Sequence, residues 1–158
     1  MIEFRIRSLE HMAVLGRVLA DCLREEASLR CILLRGKLGS GKTTLTRFLV
    51  EALPDGDRAE ISSPSFTLCN VYRTKPPVLH CDLYRAGSAV PDEISETLAM
   101  GDMAVVVEWA EYLHFSQLPQ DFLDISLQIC DEYRLVRVVP HGPNSARINC
   151  LLRAAQST

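Results

Sequence analysis

The sequence predicts a three-layer α/β fold, with helices on both faces of a mostly parallel central sheet and an antiparallel C-terminal hairpin. Three observations predict it. Residues 31–34 (Cys-Ile-Leu-Leu) and 104–107 (Ala-Val-Val-Val) are apolar at every position, the mark of strands buried on both faces of a parallel sheet. Residues 122–129 alternate instead, with Leu123, Ile125, Leu127 and Ile129 set against Asp124, Ser126 and Gln128. With residues 134–139 they flank Cys130-Asp-Glu-Tyr133 as a hairpin, expected at a sheet margin. Between the first inner strand and a helix-forming run stands Gly36-Lys-Leu-Gly-Ser-Gly-Lys-Thr43, which reads GxxxxGK[ST]. In a strand–loop–helix setting that pattern is a phosphate-binding loop, so the expected class is a P-loop NTPase three-layer fold.

The remaining elements follow in order. Residues 2–7 alternate apolar and charged, the period of a half-exposed strand. Ser8 is placed to cap a helix whose apolar stripe runs through Leu9, Met12, Leu15, Val18 or Leu19, and Cys22 or Leu23. Residues 24–30 are a polar break before the inner strand. After the phosphate loop, Leu45, Phe48, Leu49, Ala52 and Leu53 fall at the spacing of a core-facing helix, stopped by Pro54-Asp-Gly-Asp57. The hydroxyl-rich loop Ser62-Ser-Pro-Ser-Phe-Thr67 precedes a strand at 68–72; such a loop serves either as a sensor of a terminal phosphate or as a turn held by its own side chains. Lys75-Pro-Pro77 turns the chain into a strand at 78–81 that ends at Asp82. A loop over 83–90 leads to a helix with Pro91 in its first turn, ending near Ala99. The second inner strand ends at Glu108, and Ile148, Leu151 and Leu152 share one side of a short final helix.

Bulk properties bound the function. No repeat, low-complexity tract or linker interrupts residues 1–158, so a single domain is expected. A net charge of -3 argues against a protein that grips nucleic acid by a broad basic face, so any link to RNA runs through a partner. The six cysteines form no CxxC pair, and the simplest expectation is free thiols in a reducing cytoplasm. No run approaches the ~20 apolar residues that a membrane-crossing helix needs.

In an open α/β sheet ligands lie beyond the carboxyl ends of the strands, where this chain places the phosphate loop, Asp82 and Glu108. Backbone amides of Gly36, Lys37, Leu38, Gly39, Ser40 and Gly41, with Lys42, Thr43 and Thr44 at the helix start, are the expected nucleotide-binding set. Lys42 supplies charge to the outer phosphates, and the Thr43 hydroxyl suits a magnesium ion bridging them. Glu108 follows four apolar residues, the pattern of an acid that reaches magnesium directly or through water. Asp82 is then the water-orienting or general-base residue, although the two roles can be exchanged, and either acid can instead be a helix cap or surface ion pair. The catalytic set is therefore Lys42, Asp82 and Glu108, with Thr43 and Glu108 on the metal. Arg85 can place charge on the transferred phosphate or bind a partner but is read by default as solvated, and Trp109, the single tryptophan, is read as closing the core in preference to stacking on a ligand or partner. His80, Cys81 and Asp82 alternate faces of a strand, which makes a zinc site there improbable, and His11, His114 and His141 have no catalytic spacing.

Four segments together resemble the TsaE (formerly YjeE) family of small ATPases, required for the threonylcarbamoyl modification of the adenosine beside the anticodon of certain tRNAs. They are Gly36-Lys-Leu-Gly-Ser-Gly-Lys-Thr-Thr44, Ser63-Pro-Ser-Phe-Thr-Leu68, His80-Cys-Asp-Leu-Tyr-Arg85 and Val107-Glu-Trp-Ala-Glu111, in that order. The resemblance implies ATP as the nucleotide, magnesium on Thr43 and Glu108, a catalytic or switching part for Asp82, and switch segments at Ser63 to Thr67 and Leu83 to Arg85. It also implies TsaD-like and TsaB-like partners in the cytoplasm, with ATP hydrolysis resetting their complex and tRNA met through it. Ala110 stands where the family usually has proline, and no adenine contact carries over around His11 and Met12.

Other readings keep a place. A small-molecule kinase needs an acceptor pocket and an arginine-rich lid, and no such insertion is visible. A GTP switch needs an Asn-Lys-x-Asp signature, which is absent. A nucleotide-gated binding module without significant turnover needs only the phosphate loop.

Overall fold

Strand β1 (Ile2–Ile6) forms where the alternation places it, burying Ile2 and Ile6 and leaving Glu3 outside to accept from Arg137 Nε at 2.7 Å. The computed structural model describes residues 1–56, 68–86, 90–113 and 118–154. Segment 61–67, with the expected switch residues Ser63 to Thr67, lies outside the described residues, as do Asp57, residues 87–89 and His114.

Ser8 caps helix α1 (Leu9–Glu25), its hydroxyl accepting from the His11 backbone N–H at 3.2 Å. The stripe Met12, Leu15, Leu19, Cys22 and Leu23 is buried, while Leu9 is 62% exposed on a cleft wall described below. Gly16 lets α1 lie against helix α2 (Lys42–Ala52), since a Cβ there would come within 2.6 Å of Phe48 Cβ.

The other elements are β2 (Cys31–Arg35), β3 (Cys69–Tyr72), β4 (Val78–Asp82), α3 (Asp92–Met100), β5 (Ala104–Glu108), β6 (Phe122–Ile129), β7 (Arg134–His141) and α4 (Ser145–Ala154). Seven strands form one sheet in the order β1-β7-β6-β2-β5-β4-β3. Pairs β2–β5, β2–β6 and β4–β5 are parallel, and β1–β7, β6–β7 and β3–β4 antiparallel. The hairpin expected at the margin lies further in, because β6 joins β2 and β1 closes the outer side of β7. Alternation reports one buried face; it says nothing of what pairs along a strand's length.

Alternate side chains of the inner strands enter different layers. Ile32, Leu34 and Val106 belong to the core under α1, α2 and α4, and Leu33, Val105 and Val107 to the core with Ile94 of α3. Each such fully buried side chain contributes about 1.5–3 kcal/mol. Pro91 precedes α3 and Gly101 ends it with φ 68°, as the turn signals require. Among the described residues no helix is long and apolar enough to cross a membrane.

One cysteine expectation is corrected. The β3–β4 register sets Cys69 opposite Cys81, and the two form a disulfide, leaving Cys22, Cys31, Cys130 and Cys150 free. Their sequence separation of 12 hides the pairing, which depends on strand register and not on a local motif.

Topology also locates a crevice. From β2 the chain passes over α2 to the β3–β4 hairpin, returns to β5 between β4 and β2, then crosses to β6 on the far side of β2. Connections leaving β2 and β5 in opposite directions open a gap beyond their carboxyl ends.

Candidate functional site

The loop after β2 is shaped by backbone that side chains could not follow. Gly36 has φ 144°, and a Cβ there would collide with the carbonyl oxygen of Leu127. Gly41 caps α2 at φ 104°, where a Cβ would stand 3.1 Å from Met12 Cε. Neither α2's cap nor its first turn carries an acidic side chain, which leaves its positive end facing the crevice.

Lys42 begins α2 and is only 4% exposed. Its Nζ donates to the carbonyl oxygens of Gly36 at 2.7 Å and Lys37 at 3.2 Å, and lies 4.0 Å from the centroid of the Trp109 ring. Burial lowers its pKa from the usual lysine range; Glu108, Glu111 and Asp82 act in the opposite sense. The cation is thus stored against neutral groups, with acids nearby but, among the described residues, no direct ion pair to it. Ser40 Oγ is buried and makes no hydrogen bond among the described residues.

Glu108 ends β5 in register with Leu34 of β2 and Asp82 of β4, so the strand tips bring the two acids side by side. It is 1% exposed, and each oxygen is engaged. Oε2 accepts from Thr43 Oγ1 at 2.9 Å, and Oε1 lies 2.9 Å from His80 Nε2. Asp82 is half-buried, and its Oδ1 accepts from the Tyr84 backbone N–H at 3.0 Å, capping a single 3-10 turn at Leu83–Arg85. The capping role that the sequence allowed for Asp82 is present, and the residue also lines a cleft of about 220 Å³ with Lys42, Thr43, Thr44, Glu108 and Trp109. Arg85 is exposed and outside that lining.

Trp109 is half-buried and packs against the core around Leu33 and Ile94, as expected, but it also lines the cleft. Its backbone is left-handed at φ 58°, which turns the ring out of β5 toward the cleft. There it meets Tyr84, with centroids 4.7 Å apart, and the Lys42 ammonium. A left-handed tryptophan has no sequence signature, whereas the following Ala110 is fully buried as small apolar residues often are.

Two further features escaped the sequence reading. A cleft of about 280 Å³ adjoins the other side of the phosphate loop, between Gly39 to Gly41 and a wall of Ser8, Leu9, Met12 and Tyr133. Its walls come from segments more than a hundred residues apart. The bond of His80 to Glu108 is the other; a polar residue amid the apolar run 78–81 was the available signal.

The donor set can be tested for a metal. Thr43 and Glu108 offer hard oxygen ligands from two elements 2.9 Å apart, and among the described residues no group of three or more His, Cys, Asp and Glu forms a metal cage. One or two protein oxygens, with water and phosphate completing the shell, fit magnesium.

A phosphate loop between an inner parallel strand and its helix, in a three-layer sheet with acids at neighbouring strand tips, defines a P-loop NTPase-type α/β domain. Residues 6–137 match the family described as threonylcarbamoyl adenosine biosynthesis protein TsaE, and the chain belongs to that family. It is 35% identical over 141 residues to the tRNA threonylcarbamoyladenosine biosynthesis protein TsaE of Streptomyces coelicolor, covering 83% of this chain and 91% of that one. To the TsaE protein of Aquifex aeolicus it is 42% identical over 110 residues, covering 68% and 74%. The crystal structure of Bacillus subtilis YdiB superposes with a TM-score of 0.68 at 25% identity, covering 99% of this chain and 94% of that one.

Proposed function

We propose that this protein is the ATP-binding and hydrolysing member of a tRNA threonylcarbamoyladenosine system, acting on a TsaB–TsaD-like complex and meeting tRNA through it. The observation that carries the reading is the Thr43–Glu108 contact of 2.9 Å at the mouth of the phosphate loop, which joins a hydroxyl and a carboxylate where the outer phosphates of a nucleotide would lie. Family membership supplies the pathway.

In this reading the amides of Gly36 to Gly41 and the α2 terminus hold the phosphates. Lys42 exchanges the Gly36 and Lys37 carbonyls for phosphate oxygens. Magnesium, when bound through Thr43 and Glu108, supplies charge neutralisation on those oxygens. Because Thr43 and His80 engage both Glu108 oxygens, that carboxylate is a fixed ligand, which favours Asp82 for orienting water. The water oxygen attacks the terminal phosphorus, the bond to the ADP oxygen breaks, and the water's proton leaves by way of Asp82 or solvent.

The test is ATP hydrolysis with and without the TsaB–TsaD pair, scored beside tRNA modification. Lys42→Ala should abolish ATP binding, and Glu108→Ala should impair magnesium-dependent turnover by about 100-fold while weakening nucleotide affinity less. Normal turnover in both variants would remove the mechanism. Turnover that the pair stimulates without any effect on modification would leave an ATPase with the wrong biological assignment.

A further inference from the structure

His80 is fully buried at the centre of β4, between Leu79 and Cys81. An ionised carboxylate only accepts hydrogen bonds, so facing Glu108 Oε1 at 2.9 Å the Nε2 atom carries the hydrogen. Nδ1 is buried and makes no hydrogen bond among the described residues. An apolar side chain would fill this place without an orphaned nitrogen, so what the imidazole contributes is its one bond to Glu108. The ring of Tyr72 stacks on it with centroids 6.1 Å apart at 27°.

We infer that His80 is a positioning residue that fixes the Glu108 carboxylate for the metal site, an inference that rests on the reading of Glu108 as a magnesium ligand. A glutamate has one more rotatable bond than the aspartate commonly found at such strand tips, and that freedom would let its oxygens miss the ion. His80 removes it by holding Oε1, so Oε2 is the oxygen turned to Thr43. Two hydrogen bonds of 2.9 Å thereby link β4, β5 and the first turn of α2. Groups behind a metal ligand commonly set its orientation and affinity in this way.

The test uses the full chain with a non-hydrolysable ATP analogue, and reads Mn2+ binding by electron paramagnetic resonance. Metal-free affinity for the analogue and the thermal midpoint are measured beside it. His80→Phe keeps a ring against Tyr72 and loses the donor, whereas His80→Gln keeps an N–H. The expected result is an about 10–100-fold weaker Mn2+ affinity in His80→Phe with metal-free nucleotide affinity unchanged, and recovery of most of it in His80→Gln. In a Glu108→Ala background His80→Phe should cause no additional loss. Wild-type Mn2+ affinity in His80→Phe, or an equal fall in metal-free nucleotide affinity, would overturn the inference while leaving the metal reading intact. Should His80→Phe fail to fold, His80→Leu, which also loses the donor, takes its place: weaker Mn2+ affinity with metal-free nucleotide affinity unchanged supports the inference, and wild-type Mn2+ affinity overturns it. If Glu108→Ala binds Mn2+ like the wild type, the metal reading falls and this inference with it.

Discussion

Lys42 carries two opposed demands at one atom. In the proposed reading its ammonium must be available to phosphates, yet it sits at 4% exposure against two carbonyls and the Trp109 face. Burial lowers its pKa, so the unfolded chain holds the proton more tightly than the folded one. The linked cost to stability is present below the lowered folded-state value and is gone once pH has risen past the unfolded value of ~10.4. Lys42→Met should therefore leave the nucleotide-free protein at least as stable as the wild type in urea at pH 7, with any gain gone above pH ~10.4, while nucleotide binding is lost. The cysteines separate by the same physics. Burial, aided by Asp21 and Glu25, pushes Cys22 up to about 12, and burial with Asp124 does so for Cys31. Alkylation of the native, unreduced protein at pH 8 should label Cys130 and Cys150, spare Cys22 and Cys31, and find Cys69 joined to Cys81.

At the scale of elements, α1 and α2 form a packed pair whose separation is set at Gly16. Backbone as well as Phe48 Cβ stands within 3 Å of the missing methyl position, at 2.8 Å for Phe48 C and 2.9 Å for Leu49 N. Gly16→Ala should destabilise by about 1–3 kcal/mol in denaturant unfolding, despite alanine's better helix propensity. A neutral result would show that the helices separate without cost. Because α2 carries Lys42, Thr43 and Thr44, the same change should also weaken nucleotide binding.

For the whole molecule, sheet order assembles the site. Sequential neighbours β4 and β5 are also spatial neighbours, and β5 inserts beside β2, so tips more than twenty residues apart in sequence meet in one crevice. Nucleotide bridging those tips should stabilise the fold as a unit. At 100 times the dissociation constant, ATP with magnesium should add about 2.7 kcal/mol to unfolding in the wild type and nothing in Lys42→Ala, measured by thermal denaturation. Stabilisation retained in Lys42→Ala would place the nucleotide elsewhere.

Much of this was written locally. The all-apolar runs at β2 and β5, the Ser8 cap, the Pro91 and Gly101 boundaries and the phosphate loop each depend on neighbours within a few residues, and such signals survive in one dimension. The meeting of Lys42, Thr43, Asp82 and Glu108 could be anticipated from the rule about strand tips. The left-handed turn of Trp109, the Cys69–Cys81 bond, the cleft beside Met12 and Tyr133, and the placing of β6 inside the sheet could not. Each is a contact between distant segments whose register and layer are set by packing the entire core. The chain by itself determined which residues are candidates for the chemistry of phosphate and metal; tertiary structure alone decided what holds them in place, His80 behind Glu108 foremost, because a hydrogen bond between strands exists only once the sheet has ordered them.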